Sequence, residues 1–302
     1  MTAQVQEYKN EFYDDMIRLN AMADGSCLFH SILLTYSTKY NHLTDEKRGE
    51  YVERLRKNFG SNITKDTWIS IGKGDVSKND FFMELRIVMD NIYKTVIDKE
   101  ENEYIEENEE LKELIEENKK ILQFILDKLP RDVIDNKIIP ESYSKGDVYF
   151  CGSNFVRLIK KYFKKCFKKY LNEQDETKFV TLLDKTGSFF EQVSQYTIDK
   201  TFKNFITKFA DPNEWMSMEY IPLIADTFDI NIYFFNDETK TPYITGLDTR
   251  LYNPDRKSII LLWSDNSHFD ALGVMEDGRV KTTFDFDDEI IVKIHTIVTN
   301  AI

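Results

Sequence analysis

The chain has 302 residues, 41% of them hydrophobic and 14% aromatic, which is enough for one large domain or two small ones and excludes wholesale disorder. Its 53 acidic and 40 basic residues leave a net charge of -13. That balance argues against a dedicated nucleic-acid binder, whose phosphate contacts need a basic footprint, and favours a partner with a basic contact surface.

Residues 1–15 carry no apolar stretch of the kind a secretory signal needs, and no run approaches the roughly 18 apolar residues of a membrane span. Cys27, Cys151 and Cys166 form no CxxC pair and are too few for a disulfide framework. The expected working compartment is therefore the cytosol. The first clear element starts at Cys27, where Leu28, Phe29, Ile32, Leu33 and Tyr36 recur at helical spacing and predict a largely buried helix. A second amphipathic helix is expected from about Asp45 to Phe59, with Tyr51, Val52 and Leu55 inward and Gly60 as its stop.

Between about residues 61 and 205 the pattern changes to long, highly charged helical stretches. Helices are expected over 81–97, over 101–128 with Leu111, Leu114, Ile115, Ile121, Leu122 and Ile125 on one stripe, and over 155–171. Cys166 falls on the apolar stripe of the last, beside paired lysines. The plain reading is a helical bundle with solvated charged faces; the functional one is a partner-binding arm. An α/β pattern follows: a helix opened by Asp211 and Pro212 and running to Phe228, then strands at 230–235 and 258–263. A strand at 268–274 returns antiparallel to 258–263, and a last strand over 290–298 closes the sheet edge.

The histidines, His30, His42, His268 and His295, are scattered, so neither a zinc site nor any other metal site is expected. Gly72-Lys73-Gly74 lacks the upstream glycine and the hydroxyl residue of a phosphate loop. The informative segment is Asp24-Gly25-Ser26-Cys27, a tight turn ending at a cysteine that opens a buried helix. Unpaired N–H groups and the dipole at a helix start favour a thiolate, and the same N–H groups offer an oxyanion hole. The bland alternative is a small, inert residue at a helix entry.

A nucleophilic cysteine needs a base. His30 has no orienting partner in view, His42 lies in a polar loop and His295 points off an edge strand. His268 begins a strand and Asp270 follows two residues later, on the same face, where its carboxylate can orient the ring. By itself, His268-Phe269-Asp270 reads as a solvated strand face; with Cys27 it completes a thiol-hydrolase set.

These segments resemble the ovarian-tumour (OTU) family of cysteine deubiquitinases. DGSCLFHSI is similar to the family's pattern around its nucleophile, and EYVERLRKNF to its next helix. WMSMEYIPLIADTFDINIYFF is similar to its helix-into-strand unit, and SIILLWSDNSHFDAL to the strand, loop and histidine segment. The resemblance covers roughly residues 18–60 and 206–275. It implies an α/β (α+β) fold, an OTU-like core with a small twisted sheet packed by helices, built from 1–60 and 206–302. The helical block 61–205 is then an insertion that grips ubiquitin, as in viral and bacterial-effector members, which would work in a host cytosol.

Carried over, Cys27 is the nucleophile, His268 the general base and Asp270 the third member. Asp24 matches the family's loop aspartate, with Gly25 and Ser26 shaping the oxyanion hole; Asp24 and Asp270 both remain candidates for the third place. Phe269 and Trp263 are expected to wall the approach to Cys27. The implied activity is hydrolysis after ubiquitin's C-terminal glycine through a thioester, with no metal or organic cofactor. The implied partners are ubiquitin, polyubiquitin chains and ubiquitinated proteins. Two alternatives are a protease for a ubiquitin-like modifier and a catalytically silent ubiquitin-binding module; loss of function on Cys27→Ala separates an enzyme from a binder.

Overall fold

Two largely apolar stretches, INIYFFN and KSIILLWS, become β3 (Ile230–Asn236) and β5 (Lys257–Ser264), the one parallel pair of a seven-stranded sheet among the described residues. A strand buried on both faces needs such continuous apolarity. The computed structural model describes residues 5–70, 75–98, 102–128, 168, 176–216, 220–243, 252–264 and 268–300. The other strands are β1 (Val5–Glu7), β2 (Met16–Leu19), β4 (Thr241–Tyr243), β6 (His268–Glu276) and β7 (Arg279–Lys281). They run in the order β1-β2-β6-β5-β3-β4, with β7 paired to β6. The β6–β7 turn is Asp277-Gly278, both at positive φ, as a two-residue hairpin of right-handed twist requires.

β6 lies between β2 and β5, antiparallel to both, so its first residues sit deep in the sheet. Leu262 faces Asp270 and Ser264 faces His268 across one ladder; Arg18 faces Leu272 across the other. Alternation puts Met16, Arg18, His268, Asp270 and Leu272 on one face. There Met16, Tyr233, Phe235, Ile260, Leu262 and Leu272 form a core with Ile290, Ile291 and Ile294.

Those isoleucines belong to a helix at Glu289–Asn300, called α10 below, and not to the strand expected over 290–298. Ile290, Ile291 and Ile294 are buried while Val292 is 48% exposed, a helical spacing that an alternating strand could not produce. The β-branched content suggested a strand; burial of one helical stripe, worth roughly 1.5–3 kcal/mol per isoleucine, decides for a helix.

Helix α1 (Cys27–Tyr36) packs against β5 and β6, and every residue from Cys27 to Thr35 is buried. Its Phe29 centres an aromatic cluster with Phe59, Phe209 and Phe228, in which Phe59 and Phe209 stack at 5.2 Å. The short α2 (Thr38–Asn41) is followed by α3 (Asp45–Asn62). Gly60 does not end α3. It lies inside the helix, where an added methyl would meet the Ala210 Cβ at an ordinary contact distance of 3.5 Å.

The chain divides into two compact units, residues 1–63 with 206–302, and residues 64–205. The second is helical: α4 (Lys65–Ser70), α5 (Asp75–Tyr93) with a π-helical continuation at Lys94–Asp98, α6 (Glu103–Glu106), α7 (Glu109–Lys128) and most of α8 (Glu176–Ala210). Leu111, Ile115 and Leu122 of the expected stripe are buried, as are Phe189, Phe190 and Val193 of α8. The Asn108 side chain and its neighbours split the stretch read as one helix over 101–128 into α6 and α7, with the Asn108 amide on the Tyr104 carbonyl. Of the helix expected at 155–171 only Lys168, which is helical, is among the described residues; Cys166 and Cys151 lie outside them.

The helix expected from Asp211 to Phe228 is only α9 (Ile221–Phe228). Residues 211–214 form a turn instead, closed by the Glu214 N–H on the Asp211 carbonyl, while the Pro212 and Glu214 carbonyls accept from Ser26 and Arg56.

Candidate active site

The turn that leads to Cys27, the candidate nucleophile, is fixed from within and from behind. The Asp24 Oδ1 accepts the Ser26 N–H at 2.8 Å, and the Asp24 carbonyl accepts the Cys27 N–H at 3.2 Å. The first i→i−4 bond of α1 runs from the His30 N–H to the Ser26 carbonyl. A Cβ on Gly25 would lie 2.7 Å from the Pro212 carbonyl oxygen and 2.8 Å from that of Asn213, so only glycine lets the 212–213 backbone close over the turn.

Arg56 of α3 supplies the brace. Its fully buried guanidinium donates to the Gly25 carbonyl, the Ser26 Oγ and the Glu214 carbonyl through Nη1, and to the Lys208, Phe209 and Glu214 carbonyls through Nη2 and Nε. Ser26 Oγ in turn donates to the Pro212 carbonyl at 3.3 Å. These bonds take up carbonyls at the end of α8, which closes at Ala210, and in the turn that follows it.

The candidate base, His268, stands at the first position of β6. His268 Nε2 lies 3.1 Å from Asp270 Oδ1, the i, i+2 relation of a strand face, and the ring is also hydrogen-bonded to Cys27. With Nε2 committed to the carboxylate, Nδ1 is the nitrogen that remains for sulfur. Hydrogen bonds to Asp270 first, then to Cys27, and the charge of both outweigh burial and push the His268 pKa up to about 10. An imidazolium beside a cysteine sulfur is the partner a thiolate needs.

Asp270 is 1% exposed. Burial alone would raise its pKa; hydrogen bonds from His268 and the Ala21 N–H, with the charges of His268 and Arg18, more than offset this and hold it below the usual carboxylate range. Its Oδ1 accepts the Ala21 N–H at 2.6 Å, and its Oδ2 accepts Arg18 Nε and Nη2 at 2.9 and 2.5 Å.

Cys27, His268 and Asp270 are thus brought together. Asp24 is not part of that chain: its Oδ2 meets His30 Nε2 at 3.0 Å, and His30 Nδ1 meets the Tyr40 hydroxyl. Burial pushes the Asp24 carboxyl up, but the His30 contact and the Ser26 N–H bring it below its ordinary value. His30, which shows no partner along its own helix, is therefore a buried link between α2 and the nucleophile turn. Gly25 and Ser26 lie in that turn, although the Ser26 N–H is taken up by Asp24.

Phe269 departs from expectation. It points to the sheet face opposite His268, is buried, and packs edge-on against Phe234 at 5.8 Å, so it belongs to the core and does not wall an open approach. Trp263 shares that face; it is half-buried, with its ring 5.2 Å from Tyr243.

Arg18, Ala21 and Arg56 escape the sequence reading, and His30 enters it only as a base without an orienting partner. Arginine is used sparingly in this lysine-rich chain, and its placement in MIRL and ERLRK was the available signal. The Ala21 contribution is a backbone N–H and leaves no trace in the sequence. Among the described residues, no three His, Cys, Asp or Glu side chains are grouped as a metal centre requires, and no helix is long and apolar enough to cross a membrane. The chain matches no protein-family model and no curated protein.

Proposed function

We propose that this protein is a cysteine hydrolase of the OTU type that cleaves the bond after the C-terminal glycine of ubiquitin. The observation that carries the hydrolase reading is His268 held between Cys27, at the start of a buried helix, and the buried carboxylate of Asp270. The ubiquitin reading rests on the four sequence segments that resemble the family, in the order and on the element types the family uses.

In this reading the Cys27 thiolate attacks the carbonyl carbon, and the electrons of the C=O bond move to oxygen. The Cys27 N–H, whose bond to the Asp24 carbonyl is long at 3.2 Å, is the donor best placed to turn to that oxyanion. As the intermediate collapses, the His268 imidazolium gives its proton to the departing lysine amine, leaving a thioester. Neutral His268 then takes a proton from water, whose oxygen displaces the sulfur. Asp270 keeps the ring oriented and stabilises its charged form throughout.

The test is reaction with ubiquitin bearing a thiol-reactive electrophile at its C-terminus. A covalent adduct that is lost in Cys27→Ala is the expected result. Folded protein that forms no adduct, while Cys27 still reacts with a small alkylating agent, would overturn the ubiquitin reading; a set of ubiquitin-like probes then identifies another modifier.

A further inference from the structure

Asp270 would be a poor partner for an imidazolium without help. A carboxylate taken almost wholly out of water tends to hold its proton, and a neutral Asp270 cannot stabilise a charged ring. Nor does burial select which oxygen faces His268. Both matters are decided from β2. The Nε and Nη2 of Arg18 converge on Oδ2, which leaves Oδ1 to receive the Ala21 N–H and His268 Nε2.

Arg18 is itself held. Its Nη1 lies 3.4 Å from Asp237 Oδ2, at the end of β3, and Asp237 also pairs with Lys240. The groups that face Asp270 are therefore Arg18 from β2, the Ala21 N–H from the segment after it, and His268 from its own strand, with Cys27 beyond the ring. Asp237 and Lys240 act one step further out, on Arg18. The neighbour across the β5 ladder, Leu262, is apolar.

We propose that Arg18 is a positioning residue of the reaction centre: by fixing the rotamer and the charge of Asp270 it governs, through His268, the reactivity of Cys27. This rests on Cys27 and His268 being the reacting pair, and not on ubiquitin being the substrate. Lysine cannot do the same work, because a single ammonium does not present two N–H groups along one planar edge.

The experiment measures alkylation of Cys27 by iodoacetamide from pH 5 to 9, followed on the Cys27 peptide by mass spectrometry so that Cys151 and Cys166 do not interfere. The full chain is compared with Arg18→Ala, Arg18→Gln, Arg18→Lys, Asp270→Ala and the double variant Arg18→Ala/Asp270→Ala. Arg18→Ala and Arg18→Gln are expected to slow alkylation by about tenfold at pH values on the acid limb of the profile, the change made by one pKa unit of lost pairing. The acid limb of the profile should move to higher pH, with Arg18→Lys in between.

The double variant should be no slower than Asp270→Ala alone, since Arg18 acts only through that carboxylate. A merely structural arginine would lower the melting temperature without moving the profile. A wild-type profile in folded Arg18→Ala, or in Arg18→Gln should the alanine variant not fold, overturns the proposal. So does a double variant slowed by the product of the two single effects. The readout needs no ubiquitin, so an Arg18-dependent profile in a protein that ignores the ubiquitin probe leaves this inference standing while the functional reading falls.

Discussion

Replacing Arg56 by methionine removes a cation that holds five acceptor groups together: the carbonyls of Gly25, Lys208, Phe209 and Glu214, and the hydroxyl of Ser26. Methionine fills much of the same volume, so the loss is polar and not a cavity. A hydrogen bond from a charged donor contributes about 1.5–3 kcal/mol, and each buried acceptor left without a partner costs about 1–3 kcal/mol. Against this stands the relief of an expensive buried charge, whose pKa burial already pulls down. The net destabilisation expected is about 3–5 kcal/mol, a large share of the 5–15 kcal/mol typical of a whole domain. Hydrogen exchange measured peptide by peptide is the suitable assay, because it reads the unit that contains α1 without assuming one unfolding transition for the chain. Amides of Ile32 to Tyr36 should exchange roughly 150- to 5,000-fold faster in Arg56→Met, since each 1.36 kcal/mol is a factor of ten. Exchange within threefold of wild type, with an unchanged rate of adduct formation, would refute the view that Arg56 braces the nucleophile turn.

Gly25→Ala puts a methyl 2.7 Å from the Pro212 oxygen; a loss of about 1–3 kcal/mol in urea unfolding is expected, and wild-type stability would contradict the close approach. His30→Phe keeps the bulk but cuts the Asp24–His30–Tyr40 link, so thioester formation should fall by about 100-fold from a misplaced turn, whereas Cys27 alkylation persists. Equal loss in both assays would place His30 in the base machinery instead. Because the His268 pKa is raised from 6.5 to about 10, its contribution to stability is complete below pH 6.5 and is lost as pH rises towards 10. The difference in unfolding free energy between wild type and His268→Ala should therefore shrink over that interval; a difference that widens would reverse the assignment.

The parts legible in the sequence are those with a strong local signature. INIYFF and SIILLW could hardly be anything but buried strands, and the i, i+2 spacing of His268 and Asp270 gives their shared face directly. The helix at Cys27 follows from its spacing of large apolar residues. What stays hidden is non-local. β2 has only four residues and no polar alternation beyond Arg18, so nothing marks it as a strand until β6 is beside it. The 211–214 segment looks helical because its residues would tolerate a helix; it is Arg56 and Ser26, more than 150 residues earlier, that claim its carbonyls. In 290–298 composition and spacing pointed different ways, and spacing decided. Phe269 illustrates the other limit: an aromatic between two site residues invites a substrate role, but strand alternation turns it to the far side.

The sheet joins β2 to β6, two strands some 250 residues apart, and this has a consequence during synthesis. A ribosome that has released residues 1–267 has made the thiol at Cys27 and the guanidinium of Arg18, but neither the imidazole nor the carboxylate they serve. Until β6 emerges, β2 has no partner besides β1, and three residues of hairpin pairing do not persist in water. Cys27 thus stays apart from His268 and Asp270 for most of translation and meets them only when β6 docks. Premature termination before His268 yields a product without the His268–Asp270 pair, and the long loop that must close makes this docking a late step in folding.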